Sequence, residues 1–462
     1  MGGKRYRWEH DSYDIVFRAQ DDKNTCLISD LQSSWHADKS SSSDTVVTRF
    51  LKLNKKAFDF LGIIPLEADN TAFLRFKTSN FAGCVPLISP VTGKIYANLI
   101  VNGRFNEDVS DILPLLPDAL NIEYNNDLVL LHQIKVKPPI YFECIKFIEK
   151  YLVAQRTHWR KFLNECQIQQ FPSASTDWGR YAESSHSPEY MFRYPNKVNL
   201  LTTNHYEWQQ INHVLSLCVA ELYSQHTPRK TRLSYLERLN YLQILLKDQQ
   251  IRPTQELKIH ASDPIVIKDL KATGNRILES NGTEYHAWRI DFNKLFEQYV
   301  QFIMSKVSAA HNSRLYNNQK FSISGFKTNW TLSYLEPDIL LKREDKLIIV
   351  DAKYKTHMLN MHSGNVEGLQ EAFRHDLHQV LAYSSFDPSS QKITMLVFPA
   401  TSFKRIKQVV SAPLSSVTNH VYLVGIPFGT IPGTDETKEL SMADNVKIAT
   451  EGIKEILDSE FD

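Results

Sequence analysis

The sequence predicts a multidomain α/β protein, and three observations predict it. Its 462 residues suffice for two or three domains, each burying its own core. After residue 285 the patterning reads helix, hairpin, helix, closing strands and a final charged helix, as expected of a mixed sheet flanked by helices. Before that, a stretch of strand formers punctuated by Gly and Pro (81–105) is followed by two segments of helical periodicity, 140–165 and 205–250. The expected division is a β-rich domain over 1–165, a mostly helical connecting region over 166–284 and an α/β domain over 285–462.

Composition narrows the classes. An aromatic content of 11% argues for packed cores rather than disorder. The net charge of +1 means that binding to a polyanion must use local patches and not a bulk field. No apolar run approaches the roughly 18 residues of a membrane span, and Met1 to Arg7 lacks the apolar core of a signal peptide. Cys26, Cys84, Cys144, Cys166 and Cys218 are scattered, odd in number and without a CxxC pair. Reduced, mostly buried thiols in a cytoplasmic protein are expected.

In chain order, residues 1–80 open with charged and aromatic strand-like pieces and carry a polar loop, His36 to Asp44. Phe81 to Phe105 reads as turns and short strands. Its Thr92-Gly93-Lys94 is not a phosphate loop, because no glycine stands five residues before Gly93 and no Ser or Thr follows Lys94. No nucleotide site is visible. The basic pieces Gln155 to Lys161 and Pro228 to Arg232 can touch phosphate, but as short clusters on helical segments they read as solvated helix ends. No internal repeat is present.

The last third is the most legible. Asp291 to Lys306 has apolar residues at 292, 295, 296, 299, 300 and 303, with Glu297 beside the stripe. Thr331 to Lys342 and Leu347 to Lys355 are strand-like, and Arg343 to Lys346 is polar and turn-like. A hairpin symmetric about Glu344 and Asp345 pairs positions whose numbers sum to 689, so Asp338 faces Asp351 and Glu336 faces Lys353. Facing residues have Cβ atoms roughly 4.5–5.5 Å apart. Alternation puts Asp351 and Lys353 on one strand face. Val366 to Phe386 has Leu369, Phe373, Leu377, Val380, Leu381 and Ser384 on one helix face, with Asp376, Gln379 and Tyr383 beside them.

Two carboxylates that close repel unless a proton or cation lies between them. A hard divalent ion such as Mg²⁺ fits that gap, with Mn²⁺ as an alternative. A metal there polarises a phosphoryl oxygen and acidifies a bound water, and Lys353 can stabilise the developing charge or orient that water. Each fragment alone is common, and a solvated hairpin with surface charges is the better explanation of either by itself. The order acid, Pro-Asp, Asp-x-Lys and Gln-x-x-x-Tyr is far more specific. His375 and His378, three apart on a helix, raise a zinc alternative, but no HxxxH or HExxH pattern accompanies them or the loop residues His357 and His362.

That series resembles the PD-(D/E)xK nuclease superfamily in its QxxxY branch. The phrases DFNKLFEQYV, LEPDILL, LIIVDAKYK and DLHQVLAY resemble the nuclease subunits of McrBC-type, modification-dependent restriction systems, the McrC family, over roughly residues 285–400. The resemblance implies a restriction-endonuclease-like α/β/α core, antiviral DNA cleavage with Mg²⁺, and a hexameric AAA+ GTPase partner of the McrB kind. It makes Glu297 the helix acid, Asp338 and Asp351 metal ligands together with Glu297, Lys353 the catalytic lysine, and Gln379 and Tyr383 a supporting pair. Where the family commonly has an aromatic two residues before the glutamine, this chain has Leu377-His378. The N-terminal half would engage the motor, with 81–105 as the expected contact. Two alternatives remain open: a self-sufficient nuclease that reads DNA with its N-terminal domain, and a scaffold or activator of the motor.

Overall fold

The computed structural model describes residues 15–19, 24–27, 43–66, 73–104, 112, 116, 122–131, 139–225, 227–280, 286–325, 332–355, 366–386, 389, 391–411, 418–429 and 442–461. The architecture is mixed α/β, as the patterning predicts. Most of the His36–Asp44 loop, His357, His362 and both chain ends lie outside the described residues. Two compact units form, one from 1–138 with 285–462 and the other from 139–284.

In the first unit, a five-stranded sheet runs in the order Ile15–Arg18, Ile95–Asn102, Phe81–Ile88, His286–Asp291, Glu123–Val129. Only the first pairing is parallel. Its apolar face meets helices Ser43–Leu53 and Lys55–Leu61 and a small sheet, in a core that includes Phe17, Phe50, Phe58, Phe76 and Leu99. Segment 81–105, the expected contact, is therefore mostly interior, with the turn Val91 to Lys94 exposed between its two strands. Phe81–Ile88 is a central strand, buried over six consecutive residues. Gly83 is required there, since a Cβ would lie 2.1 Å from the Trp288 carbonyl oxygen. Strand His286–Asp291 belongs to this N-terminal sheet yet runs directly into helix Phe292–His311. The β-rich N-terminal part and the C-terminal α/β part are thus one unit.

A six-stranded sheet carries the C-terminal part, in the order Arg314–Asn317, Ile339–Arg343, Lys346–Ala352, Gln391–Ala400, Thr418–Pro427, Lys404–Ser411. The hairpin register is the one expected: Ile339 pairs with Val350 and Arg343 with Lys346, so every pair sums to 689. Glu344 turns the chain at φ 53°. The strand-like run from 331 is interrupted at Glu336-Pro337-Asp338, and regular pairing begins at Ile339. Proline lacks the amide that a ladder needs. Lys346–Ala352, Gln391–Ala400 and Thr418–Pro427 are mutually parallel, the first two joined through helix Val366–Ser384.

Alternation along the central strand distributes the layers. Leu347 and Ile349 pack with Tyr383 of helix Val366–Ser384. Tyr354, on the opposite parity, packs against Phe292 and Phe296 of helix Phe292–His311. The final helix, Met442–Phe461, is pinned through Glu460, which accepts from Tyr422, His420 and Lys407. The result is a helix–sheet–helix sandwich.

The second unit contains helices Tyr141–Arg156, Tyr206–Tyr223, Arg229–Lys247 and Ile265–Ser280 and a long hairpin, Lys161–Gln169 with Tyr194–Thr202. The expected helix over 140–165 ends at Arg156. His158, at φ 47°, takes the chain out of it, and the next residues become a strand because Tyr194–Thr202 supplies its hydrogen bonds. Since helix Tyr141–Arg156 packs within this unit, the unit begins at 139, whereas the sequence division placed that boundary after 165. Lys161 of the first basic piece is paired with Glu207 at 2.6 Å and Asp263 at 3.4 Å. Buried Lys271 joins the same carboxylates at 2.5 and 2.7 Å. None of the five cysteines forms a disulfide, and only Cys166 is exposed. Among the described residues no helix is long and apolar enough to cross a membrane.

Candidate active site

The expected residues gather where the central strand leaves the C-terminal sheet. Asp351, 1% exposed, is the penultimate residue of Lys346–Ala352. Asp338 immediately precedes its partner strand and accepts a 2.7 Å hydrogen bond from the Ala352 amide. Lys353 continues the strand path, its amide donating to the Val397 carbonyl at 2.8 Å. Its ammonium lies 2.7 Å from Asp351 Oδ2 and donates to Gln379 Oε1 at 3.2 Å. Gln379 Nε2 donates in turn to the Tyr383 hydroxyl at 2.7 Å. The i, i+4 spacing on helix Val366–Ser384 makes that last bond.

Glu297 comes from the other helical layer. Its Oε1 accepts from Gln301 Nε2 at 3.1 Å and from Asn318 Nδ2 at 3.0 Å. Both donors also reach the Asp338 carbonyl, Gln301 through its side chain at 3.4 Å and Asn318 through its amide at 3.0 Å. Asn318 sits at φ 50°, a left-handed conformation that asparagine tolerates better than most residues. Sequence reasoning missed Gln301 and Asn318. The spacing of Gln301, one turn after Glu297, was an available signal, whereas Asn318 depends on the fold.

Charge is concentrated here. Burial, then the Asp351 and Glu297 carboxylates, push Asp338 up to about 8. Burial raises Asp351 also, against the opposing pull of Lys353. Glu297 is raised by burial, with Asp351 adding to it and the Asn318 hydrogen bond opposing. Burial disfavours the Lys353 charge, but Asp351, then Asp338 and Asp376, outweigh it and hold the ammonium above its ordinary value.

The donor set fits a hard divalent cation. Two carboxyls raised chiefly by burial, Asp338 further by the charge of Asp351, accept a positive charge readily, and Asp351 Oδ2 has no hydrogen-bond partner. Its 2.7 Å approach to Lys353 is an ionic contact without hydrogen-bond alignment. Among the described residues, no group of three or more His, Cys, Asp or Glu side chains closes around one point. Mg²⁺ does not require one, since it keeps several waters and takes one or two carboxylates. His375 and His378 are exposed, so the zinc alternative gains no donor set from the described residues.

Residues 270–399 match the family model described as McrBC 5-methylcytosine restriction system component. The whole chain is similar to the refined half-complex from the tetradecameric assembly of Thermococcus gammatolerans McrB AAA+ hexamers with bound McrC, at 13% identity and TM-score 0.46, covering 96% of this chain and 100% of that one. The cryo-EM structure of the Thermococcus gammatolerans McrBC complex is similar at 15% identity and TM-score 0.29, covering 64% of this chain and 88% of that one. No curated protein matches. The matched span, 270–399, contains every candidate residue from Glu297 to Tyr383.

Proposed function

We propose that the chain is a Mg²⁺-dependent DNA endonuclease subunit of an McrBC-type restriction system, of the PD-(D/E)xK kind, working in the cytoplasm with an AAA+ GTPase hexamer. The observation that carries this reading is the meeting of Asp338, Asp351 and Lys353 with the Gln379–Tyr383 pair at one strand end. When bound, Mg²⁺ supplies Lewis acidity toward a phosphoryl oxygen and lowers the pKa of a water. Asp338 and Asp351 would hold it, with Glu297 beside them. Lys353, aimed by Asp351 and Gln379, stabilises the negative charge that grows on the phosphorus oxygens. Tyr383 fixes Gln379, and Gln301 with Asn318 fixes Glu297 against the Asp338 peptide.

The family description names a 5-methylcytosine restriction system, which supports modified DNA as substrate. A partner is supported by the lack of a phosphate-binding loop in the chain and by the near-zero net charge, which limits affinity for duplex through phosphate neutralisation. The contact moves from the buried strands of 81–105 to the long hairpin of the second unit. Phe171 and Phe192, beyond its Gln169–Tyr194 end, are 78% and 69% exposed, and Phe162, at its Lys161–Thr202 end, is 68% exposed; large exposed apolar side chains mark interaction sites. The test is cleavage of modified plasmid by the chain with its AAA+ partner, nucleotide and Mg²⁺. Wild type should cut and Asp351→Ala should not. Modification-selective cutting by the chain alone would establish the self-sufficient alternative instead.

A further inference from the structure

We propose that Lys355 is a positioning residue: by occupying the buried carboxylate of Asp376, it keeps the Lys353 ammonium on Asp351 and Gln379. This rests on the nuclease reading above.

Asp376 is 2% exposed and lies one turn before Gln379 on helix Val366–Ser384. Both its oxygens accept from Lys355 Nζ, each at 2.7 Å. Asp376 also acts electrostatically on Asp351 and on Lys353. Two ammonium groups and two buried carboxylates therefore share one small region, each ammonium on its own carboxylate. Local backbone geometry sorts them. The Lys355 amide donates to the Lys353 carbonyl at 2.7 Å, a three-residue turn just past the strand end. Lys355 thus does not continue along the sheet as an extended strand would carry it, and it reaches Asp376.

A buried carboxylate deprived of its cation is strongly destabilising. A lysine carries its charge on a flexible four-carbon stem, so a bare Asp376 would draw in the ammonium of Lys353, on which it already acts electrostatically. Gln379 would lose the donor to its Oε1, and Asp351 its countercharge. The Lys355–Asp376 pair thus acts against a competing arrangement of Lys353, beyond any stability it adds.

The experiment compares Lys355→Ala, Lys355→Arg and the double variant Lys355→Ala/Asp376→Asn in the complex with the motor. Steady-state cleavage, thermal melting and a crystal structure are read for each, with Asp351→Ala as control. We expect Lys355→Ala to lower kcat by about 100-fold at unchanged KM for DNA, the scale of a small misplacement of a catalytic group. Lys355→Arg should retain cleavage. The double variant should recover to within about tenfold of wild type, because the competing charge is gone. In the Lys355→Ala crystal structure, Lys353 Nζ should be found on Asp376. Where Lys355→Ala melts early, the double variant and the arginine variant carry the comparison. Undiminished cleavage by Lys355→Ala, or Lys353 still on Asp351 in its structure, overturns the proposal. So does a folded double variant as slow as the single one. If Asp351→Ala also cuts, the nuclease reading falls and takes this proposal with it; if Asp351→Ala is dead while Lys355→Ala cuts normally, only this proposal falls.

Discussion

Asp338 and Asp351 form a costly arrangement that a metal would relieve, and this has measurable consequences at single residues. Asp338→Ala and Asp351→Ala should each abolish Mg²⁺-dependent cleavage while leaving a folded chain, since removing one of two repelling carboxyls relieves strain. Circular dichroism together with a cleavage assay checks both halves of the claim. The pH dependence has a definite sign. Asp338 has an ordinary value of 3.8 and is pushed to about 8 in the fold. The folded state therefore keeps a proton that the unfolded state gives up. The stability from the neutral carboxyl is complete below pH about 4 and is lost as pH rises through about 8. Metal-free Asp338→Asn escapes that loss. It should melt above wild type at pH 9, by about 2–4 °C per kcal/mol relieved, and close to it at pH 4. A variant that melts below wild type at pH 9 would contradict the assignment. Lys353→Ala should lose cleavage and keep metal binding by calorimetry, because an ammonium group is not a ligand.

At the scale of elements, the hairpin was legible because its register follows from turn symmetry, and Ile339–Val350 to Arg343–Lys346 bear that register out. Helix Phe292–His311 was legible from its apolar stripe, and Val366–Ser384 likewise. Strand Lys161–Gln169 was not, because the hydrogen bonds that make it a strand come from residues about thirty positions away. Nor was the interior place of 81–105, which reads as turns and short strands, because the strand that holds Phe81–Ile88 inside the sheet is His286–Asp291, two hundred residues on. Deleting 81–105 should accordingly unfold the unit, with loss of cooperative melting. Phe162→Ser/Phe192→Ser should instead leave melting unchanged and weaken motor stimulation. The Gln301 and Asn318 supports of Glu297 were hidden for a related reason, since Asn318 reaches the helix only through the strand after it. Asn318→Ala should lower cleavage about tenfold, less than the roughly 10²–10⁴-fold of a lost general acid–base group because Asn318 only orients Glu297, with the melt little changed.

At the scale of the molecule, His286–Asp291 joins the two sheets of the first unit by being a strand in one and the lead-in to the acid helix of the other. Tyr354, one residue past Lys353, donates no side chain to the metal region; its hydroxyl instead accepts from the Arg104 amide at 3.3 Å. The site is thereby tied to the N-terminal part through the lead-in to the Glu297 helix and through Tyr354. The candidate site was almost wholly readable from order and spacing, because its residues come from one hairpin and two amphipathic helices. Domain boundaries were not, because the second unit is inserted between two strands of a single sheet, and insertion leaves no local signature. The most direct measurement of the central claim is cleavage of modified plasmid in Mg²⁺ by the complex of this chain with its nucleotide-hydrolysing partner, wild type beside Asp351→Ala. The account predicts strand scission by wild type that stops on chelation and is absent from the folded variant. Equal scission by the two, or scission that survives chelation, would contradict it.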